Sequence, residues 1–324
     1  MIDPARFTSA VAAALSGLPP GCRPWGRGWS AAVAGVLEAA AAKPGTVHPA
    51  AAFPDLSFQD LAAAALAAAP AIDAAADRPL GETILAAVSA SRAVSPSNAN
   101  LGIVLLIAPL AAVPDAAAEA DPLAAVEEIL ASLDAADAAD VWRAIALARP
   151  GGLGRSDRWD LAGPPPADLR AAMRHAARRD TVARLWADGY GELFRGVVAD
   201  LAADLRHAVP LAEAIARCHL RQLARRPDSL LTRRHGEATA AAVSRQAGEV
   251  LEHLETPAWP GALAAFDRSL RTPQRLNPGT TADLIAAALY ILLRDGRLRP
   301  ALPFPSPPLP SLPRLGPDPR AADL

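Results

Sequence analysis

Six short segments of this 324-residue chain hold the side chains that could do chemistry. In "AAKPGTVHP" the only lysine, Lys43, precedes Pro44-Gly45 and is followed by His48. A lysine offers a point charge to phosphate oxygens, and a neighbouring glycine lets backbone approach a ligand closely. Lys43 equally suits the last turn of a helix, where a cation meets the dipole and Pro-Gly ends the helix. "FPDLSFQDL" carries Asp55, near enough to His48 to share a loop, and Asp60, and "GETIL" carries Glu82. Asp55, Asp60 and Glu82 are candidates for acid–base catalysis and for holding Mg²⁺. Two of them have simpler uses: Ser57 and Asp60 have capping-box spacing, and Glu82 suits the first turn of a helix.

The chain has three asparagines, and all fall in two motifs, Asn98 and Asn100 in "SNANLG" and Asn277 in "LNPG". One asparagine or serine suffices to cap a helix, and a second in the first turn lowers helix propensity. Gly102 adds a cost of about 1 kcal/mol against alanine inside a helix. Three poor helix formers before the apolar run "IVLLIAPL" point to a bound group at that helix mouth, where free N–H groups and amides suit phosphate or a polar ring. In "PDSLLTRRHG", Asp228 reads as a cap and Arg233 with Arg234 as either a clamp for polyphosphate or a solvated basic face. In "LNPGTTADL" two threonines are enough for a cap, which leaves Asn277 surplus. Pro278-Gly279 makes a tight turn that brings backbone near a ligand, and Asp283 follows in the helix.

The elements that must position these residues are helices. Eighty residues are alanine, aromatic residues are scarce, and no β-branched alternation appears. Apolar periodicity predicts helices over residues 5–17, 29–42, 57–68, 80–94, 98–112, 122–133, 137–149, 167–207, 210–225, 230–256 and 281–294. The span 167–207 reads as two helices broken near Gly189 or Gly191. The fold class is all-α. A glycine- and proline-rich loop over residues 150–166 divides the chain, but motifs on both sides appeal to one site, so residues 1–299 are expected to form one domain. The proline-rich segment 300–324 reads as an extended or disordered tail. A formal charge of −2 gives no global field to attract nucleic acid. Cys22 and Cys218 have no metal-ligand spacing, and the apolar run at 101–113 is shorter than the ~20 residues of a membrane span. A cytoplasmic protein without membrane or nucleic-acid partners is the expectation.

Taken in order, AKPGTVHP, the Asp55–Asp60 segment, LGETIL, SNANLG, DSLLTRRHG and NPGTTADL resemble the triphosphoribosyl-dephospho-CoA synthase family over about residues 30–295. The resemblance implies an all-α enzyme that joins ATP to 3′-dephospho-CoA: adenine leaves C1′ of the ATP ribose and the 2′-hydroxyl of dephospho-CoA takes its place. It also implies Mg²⁺ with the triphosphate. Lys43, Arg233 and Arg234 then become phosphate ligands, with His48, Asn98, Asn100, Gly102, Asp228, Asn277, Gly279 and Asp283 around the substrates. Asp55, Asp60, Glu82 and Asp283 are the carboxylates available for base or metal work. The sequence departs from the family where citrate-lyase members carry Gly-Ala-His before an Asp-Met pair, His-Lys-Gly after the first asparagine, a glycine pair after the basic segment, and Gly-Gly-Ser near Gly279. Those departures keep open a second transferase reading with another coenzyme precursor as acceptor. A helical nucleotide-binding protein without chemistry is the third.

Overall fold

The computed structural model describes residues 26–154 and 156–298. The helix expected over 5–17 and the proline-rich tail at 300–324 lie outside the described residues. Fifteen α-helices and one π-helical segment make up the described chain, which has no strand; His48–Ala51 and Phe53–Leu56 form isolated bridges. No described helix is long and apolar enough to cross a membrane.

Helices α1 (Arg27–Ala40), α2 (Phe58–Asp73) and α3 (Leu80–Val94) pack in sequence, and small residues set their spacing. The Gly28 N–H donates to Asp73 Oδ1 at 2.9 Å, and a Cβ on residue 28 would lie 2.0 Å from the Ala69 carbonyl oxygen. At the centre stands α4 (Leu101–Ala112), buried at every residue except Gly102 and Ile103. Pro109 inside it has no N–H, so the Leu105 carbonyl loses its helical donor. Trp186 Nε1 fills that vacancy at 2.9 Å, and the Tyr190 hydroxyl donates to the Leu106 carbonyl at 3.1 Å. The proline break thus fixes the next layer onto the central helix.

Beyond α4 follow α5 (Asp115–Ala120), α6 (Pro122–Ala131) and α7 (Ala135–Ala148), which returns to pack on α3. After the loop come α8 (Leu169–Ala176), α9 (Thr181–Asp188), the π segment Leu193–Val198 and α10 (Ala199–Arg206). Then come α11 (Leu211–Arg225), α12 (Ser229–His235), α13 (Glu237–Leu251), α14 (Trp259–Arg271) and α15 (Gly279–Arg294). The α15 helix packs against α1, α4 and the π segment, and it is buried without interruption from Ile285 to Leu293. A second apolar cluster, including Leu223, Leu231, Val243, Phe266 and Leu276, lies among α11–α14.

Several boundaries differ from the periodicity, each for a local reason. The 167–207 span breaks twice, because Asp180 caps a new helix through the Ala183 N–H at 2.9 Å and Gly189 takes φ +75°. The 230–256 span breaks at Gly236, where φ is +85°. The α14 helix lies outside the spans that periodicity predicts; Pro260 sits in its first turn, where a missing N–H costs nothing. The short α5 was also not expected.

Helix contact through glycine gives a test. Gly28→Ala is expected to lower unfolding free energy by about 1–3 kcal/mol, because the methyl overlaps the Ala69 carbonyl. Gly248→Ala, in α13 with open space around it, is expected to raise it by about 0.5–1 kcal/mol. Urea denaturation of both variants reads the contrast.

Candidate active site

One residue ties together the helices that build the site. Asp228 caps α12, accepting from Leu230 N–H at 2.8 Å and Leu231 N–H at 3.0 Å through Oδ1. Its Oδ2 accepts from the Thr281 N–H at 2.7 Å and the Thr281 hydroxyl at 2.8 Å, in the first turn of α15. Next to it the Ser229 hydroxyl donates to Thr280 Oγ1 at 3.1 Å and accepts from the Thr181 N–H of α9 at 3.2 Å. The starts of α9, α12 and α15 are locked together over buried polar groups.

Those helices form one wall of a cavity of about 840 Å³, a size typical of small-molecule sites. Beside them the mouth of α4 lines the cavity with Ser97, Asn98, Leu101 and Gly102, together with Phe53, Asp55 and Leu56. The 150–166 loop closes a side with Gly151, Leu153 and Trp159, and α8 supplies Met173 and His175. The cavity therefore draws on both halves of the chain and on the loop between them. Arg92, Arg149, Arg179, Arg233, Arg234 and Arg275 line it against Asp55, Asp160, Asp180 and Asp283. With the N-termini of α4, α9 and α15 at its edge, the cavity suits an anion with several charges.

Of the residues singled out in the sequence, Asp55, Asn98, Gly102, Arg233, Arg234, Asn277 and Asp283 line this cavity. Asp55 is exposed and ion-paired with Arg275, and its backbone carbonyl accepts from the Ser97 hydroxyl. Asn98 Oδ1 accepts from the Leu101 N–H at 3.2 Å, capping α4. Arg233 is paired with Asp180. The Arg234 guanidinium lies over Gly151, where any side chain would collide with it, and it has no acid partner among the described residues.

The other seven, and Gly45 with them, lie away from the cavity lining. Lys43 is 1% exposed; its Nζ is 2.8 Å from Glu38 Oε1 and donates to the Glu38 carbonyl and, at 3.0 Å, to the Ala41 carbonyl. All three donors are spent at the C-terminal end of α1, so the ammonium is not presented to phosphate in this arrangement. Gly45 takes φ +74° and donates its N–H to Asp267 Oδ1 at 2.8 Å, which joins the lysine turn to α14. Burial, Arg271 and Lys43 hold His48 down to about 4 against the pull of Asp267, and it lies outside the cavity. Asp60 completes the capping box with Ser57, whose hydrogen bonds lower its pKa. Glu82 is exposed on α3. Asn100 is buried and donates Nδ2–H to the Ala64 carbonyl of α2 at 3.2 Å. Asp228 is the tie just described, and Gly279 makes room for the Leu230 side chain. Asp55, Asp60 and Glu82 do not converge, and no group of three or more His, Cys, Asp or Glu among the described residues is arranged to hold a metal.

Sequence reasoning did not single out Asp180, Arg149, His175, Arg179, Arg275 or Trp159. Arginine supplies all but one of 32 basic residues, so no individual arginine stood out. Only the length and composition of the 150–166 loop pointed toward Trp159.

An all-helical protein with an arginine-lined cavity suited to a multiply charged anion is the class that fold and site define. The family model of ATP:dephospho-CoA triphosphoribosyl transferase matches residues 26–300, and the chain belongs to that family. Among solved structures, a putative triphosphoribosyl-dephospho-CoA synthase from Archaeoglobus fulgidus is similar at 26% identity and a TM-score of 0.58, covering 72% of this chain and 98% of that one. No curated protein matches. The protein is thus a transferase that moves a triphosphoribosyl group from its substrate ATP to dephospho-CoA.

The helix tie predicts a purely structural phenotype at Asp228. Its replacement by alanine leaves four buried or partly buried donors unmet and is expected to lower stability by about 2–4 kcal/mol. Thermal and urea unfolding measure the loss. Asp228→Asn, which keeps one carbonyl oxygen as acceptor, is expected to lose less.

Proposed function

We propose that the cavity is where ATP and dephospho-CoA meet, with Arg234 and Arg233 on the triphosphate and Asn98 and Asn277 on ribose or base edges. The observation that carries this assignment is Arg234: a guanidinium on the cavity wall, backed by the glycine loop and without an acid partner among the described residues. A charge left unpaired beside a second arginine suits an anionic ligand. Both halves of the chain line the cavity, which supports reading residues 1–299 as one catalytic domain. Cys218 is a free, buried thiol, in keeping with a cytoplasmic enzyme.

Mg²⁺ belongs to the same proposal only through its substrate. The carboxylates expected to hold it do not fit a shared site, since Asp60 is a cap and Glu82 faces solvent. Mg²⁺ favours substrate phosphates with few protein carboxylates, so triphosphate oxygens are its ligands in this reading.

Transfer from ATP requires that the C1′–N9 bond break and free adenine leave. Incubation with ATP, Mg²⁺ and dephospho-CoA is expected to release adenine only when dephospho-CoA is present, with a product heavier by one triphosphoribosyl unit. Adenine release with another coenzyme precursor but not with dephospho-CoA would redirect the acceptor. Arg234→Ala is expected to raise the KM for ATP about 10–100-fold, the loss of one charge-assisted contact. Glu82→Gln is expected to leave kcat and the Mg²⁺ requirement within about twofold of wild type, the typical effect of a surface change.

A further inference from the structure

Four carboxylates line the cavity, and three are committed to protein partners. Asp55 pairs with Arg275. Asp160 accepts from the Ser156 N–H at 2.9 Å and the Ala162 N–H at 2.9 Å. Asp180 caps α9 and pairs with Arg233. Asp283 has no hydrogen bond or ion pair among the described residues, although it sits on α15 in the wall of the site.

Its position is tightly determined. The carboxylate lies across the mouth of α4 against Gly102, where a Cβ would come 2.0 Å from Asp283 Oδ2 and 2.5 Å from its Cγ. Gly102 is thereby explained: the glycine that weakens the first turn of α4 makes the space this acid occupies. The like charges of Glu38 from α1, Asp228 at the start of α12 and Asp180 at the start of α9 act on it. Arg233 from α12 is the opposing cation, and it is already paired with Asp180. Burial and then these neighbours hold the Asp283 carboxyl well above the usual carboxylate range. A partnerless carboxylate in such surroundings is costly to the fold and needs a reason to be there.

We propose that Asp283 is the general base that takes the proton from the acceptor ribose hydroxyl as its oxygen attacks C1′ of the ATP ribose. The inference rests on the proposal that both substrates occupy this cavity. The C1′–N9 bond breaks with its electron pair going to adenine, the C1′–O bond forms, and the hydroxyl proton passes to the Asp283 carboxylate. Adenine gains a proton from solvent on departure, and Asp283 returns its own to solvent, so the overall reaction is balanced. A base must be ionised to act, so kcat rises with pH through the Asp283 ionisation and then levels. Gly102 is a positioning residue that acts through Asp283.

The test uses the full chain with ATP, Mg²⁺ and dephospho-CoA, following adenine release across pH. Asp283→Asn is expected to lower kcat about 10²–10⁴-fold, to abolish the acid limb, and to leave the KM for ATP within a few fold. Its melting temperature is expected to equal or exceed that of wild type, because a desolvated charge is removed; a structural role would move it down. Gly102→Ala, which displaces the carboxylate without removing it, is expected to lower kcat while nucleotide affinity, measured by calorimetry, is retained. If Asp283→Asn keeps kcat within threefold, or keeps the acid limb at the same pH, the assignment falls. It also falls if activity declines only in step with melting temperature or ATP affinity. Wild-type protein that is folded and binds ATP but releases no adenine overturns the substrate reading itself, and Asp283 as its base falls with that reading.

Discussion

The site depends on a single buried carboxylate. Asp228 accepts four hydrogen bonds, two from the first turn of α12 and two from Thr281 at the start of α15. Burial pushes its pKa up, and the four donors work against that shift. Through Ser229 the same knot reaches the N-terminus of α9. Arg233, Asp180, Thr280 and Asp283 all hang from these three helix starts, so the knot sets their mutual placement, and the Arg233–Asp180 ion pair adds to it. The knot also joins the two apolar clusters, since α12 belongs to one and α15 to the other.

The conspicuous residues divide into those that hold the scaffold and those that face the cavity, and neighbours in sequence fall on opposite sides. Asn98 is at the cavity while Asn100, two residues on, turns inward to α2. Arg233 is tied to Asp180 while Arg234 is left unpaired among the described residues. Lys43 and Glu38 make a buried pair beneath the site, where a charge needs both its partner and nearby carbonyls to be tolerated. His219, wholly buried behind it, is held down to about 3, first by burial and then by the Lys43 charge, with the Pro44 carbonyl pulling the other way. Residues that looked catalytic by rarity are therefore partly the supports that let others act.

Electrostatics and stability pull in different directions around the cavity. Asp283 is held among like charges, with no hydrogen bond or ion pair among the described residues, an electrostatic cost that the scaffold must carry. The scaffold offsets such costs by close packing of alanine-rich faces and by redirecting bonds lost to proline, as with Trp186 on the Leu105 carbonyl.

The sequence by itself determined the all-α class, most helix positions, the resemblance to the family, and the four motif segments, of six, that reach the cavity. The class and the helix positions follow from short-range physics, since alanine propensity, apolar periodicity, caps and turn residues act within a few positions; the family rests on the resemblance of the motifs taken in order. Even the structural role of Asp60 was legible, because a capping box is a spacing of three residues. What only the tertiary structure decided was direction. Whether Lys43 met a phosphate or Glu38 depended on how α1 ends against α14 and α15. Whether Gly102 served a ligand or Asp283 depended on the crossing of α4 with α15, helices separated by well over a hundred residues. Asp55, Asp60 and Glu82 were parted because Asp55 sits in the Phe53–Leu56 turn at the cavity, Asp60 turns back to cap its own helix, and the packing of α3 leaves Glu82 exposed.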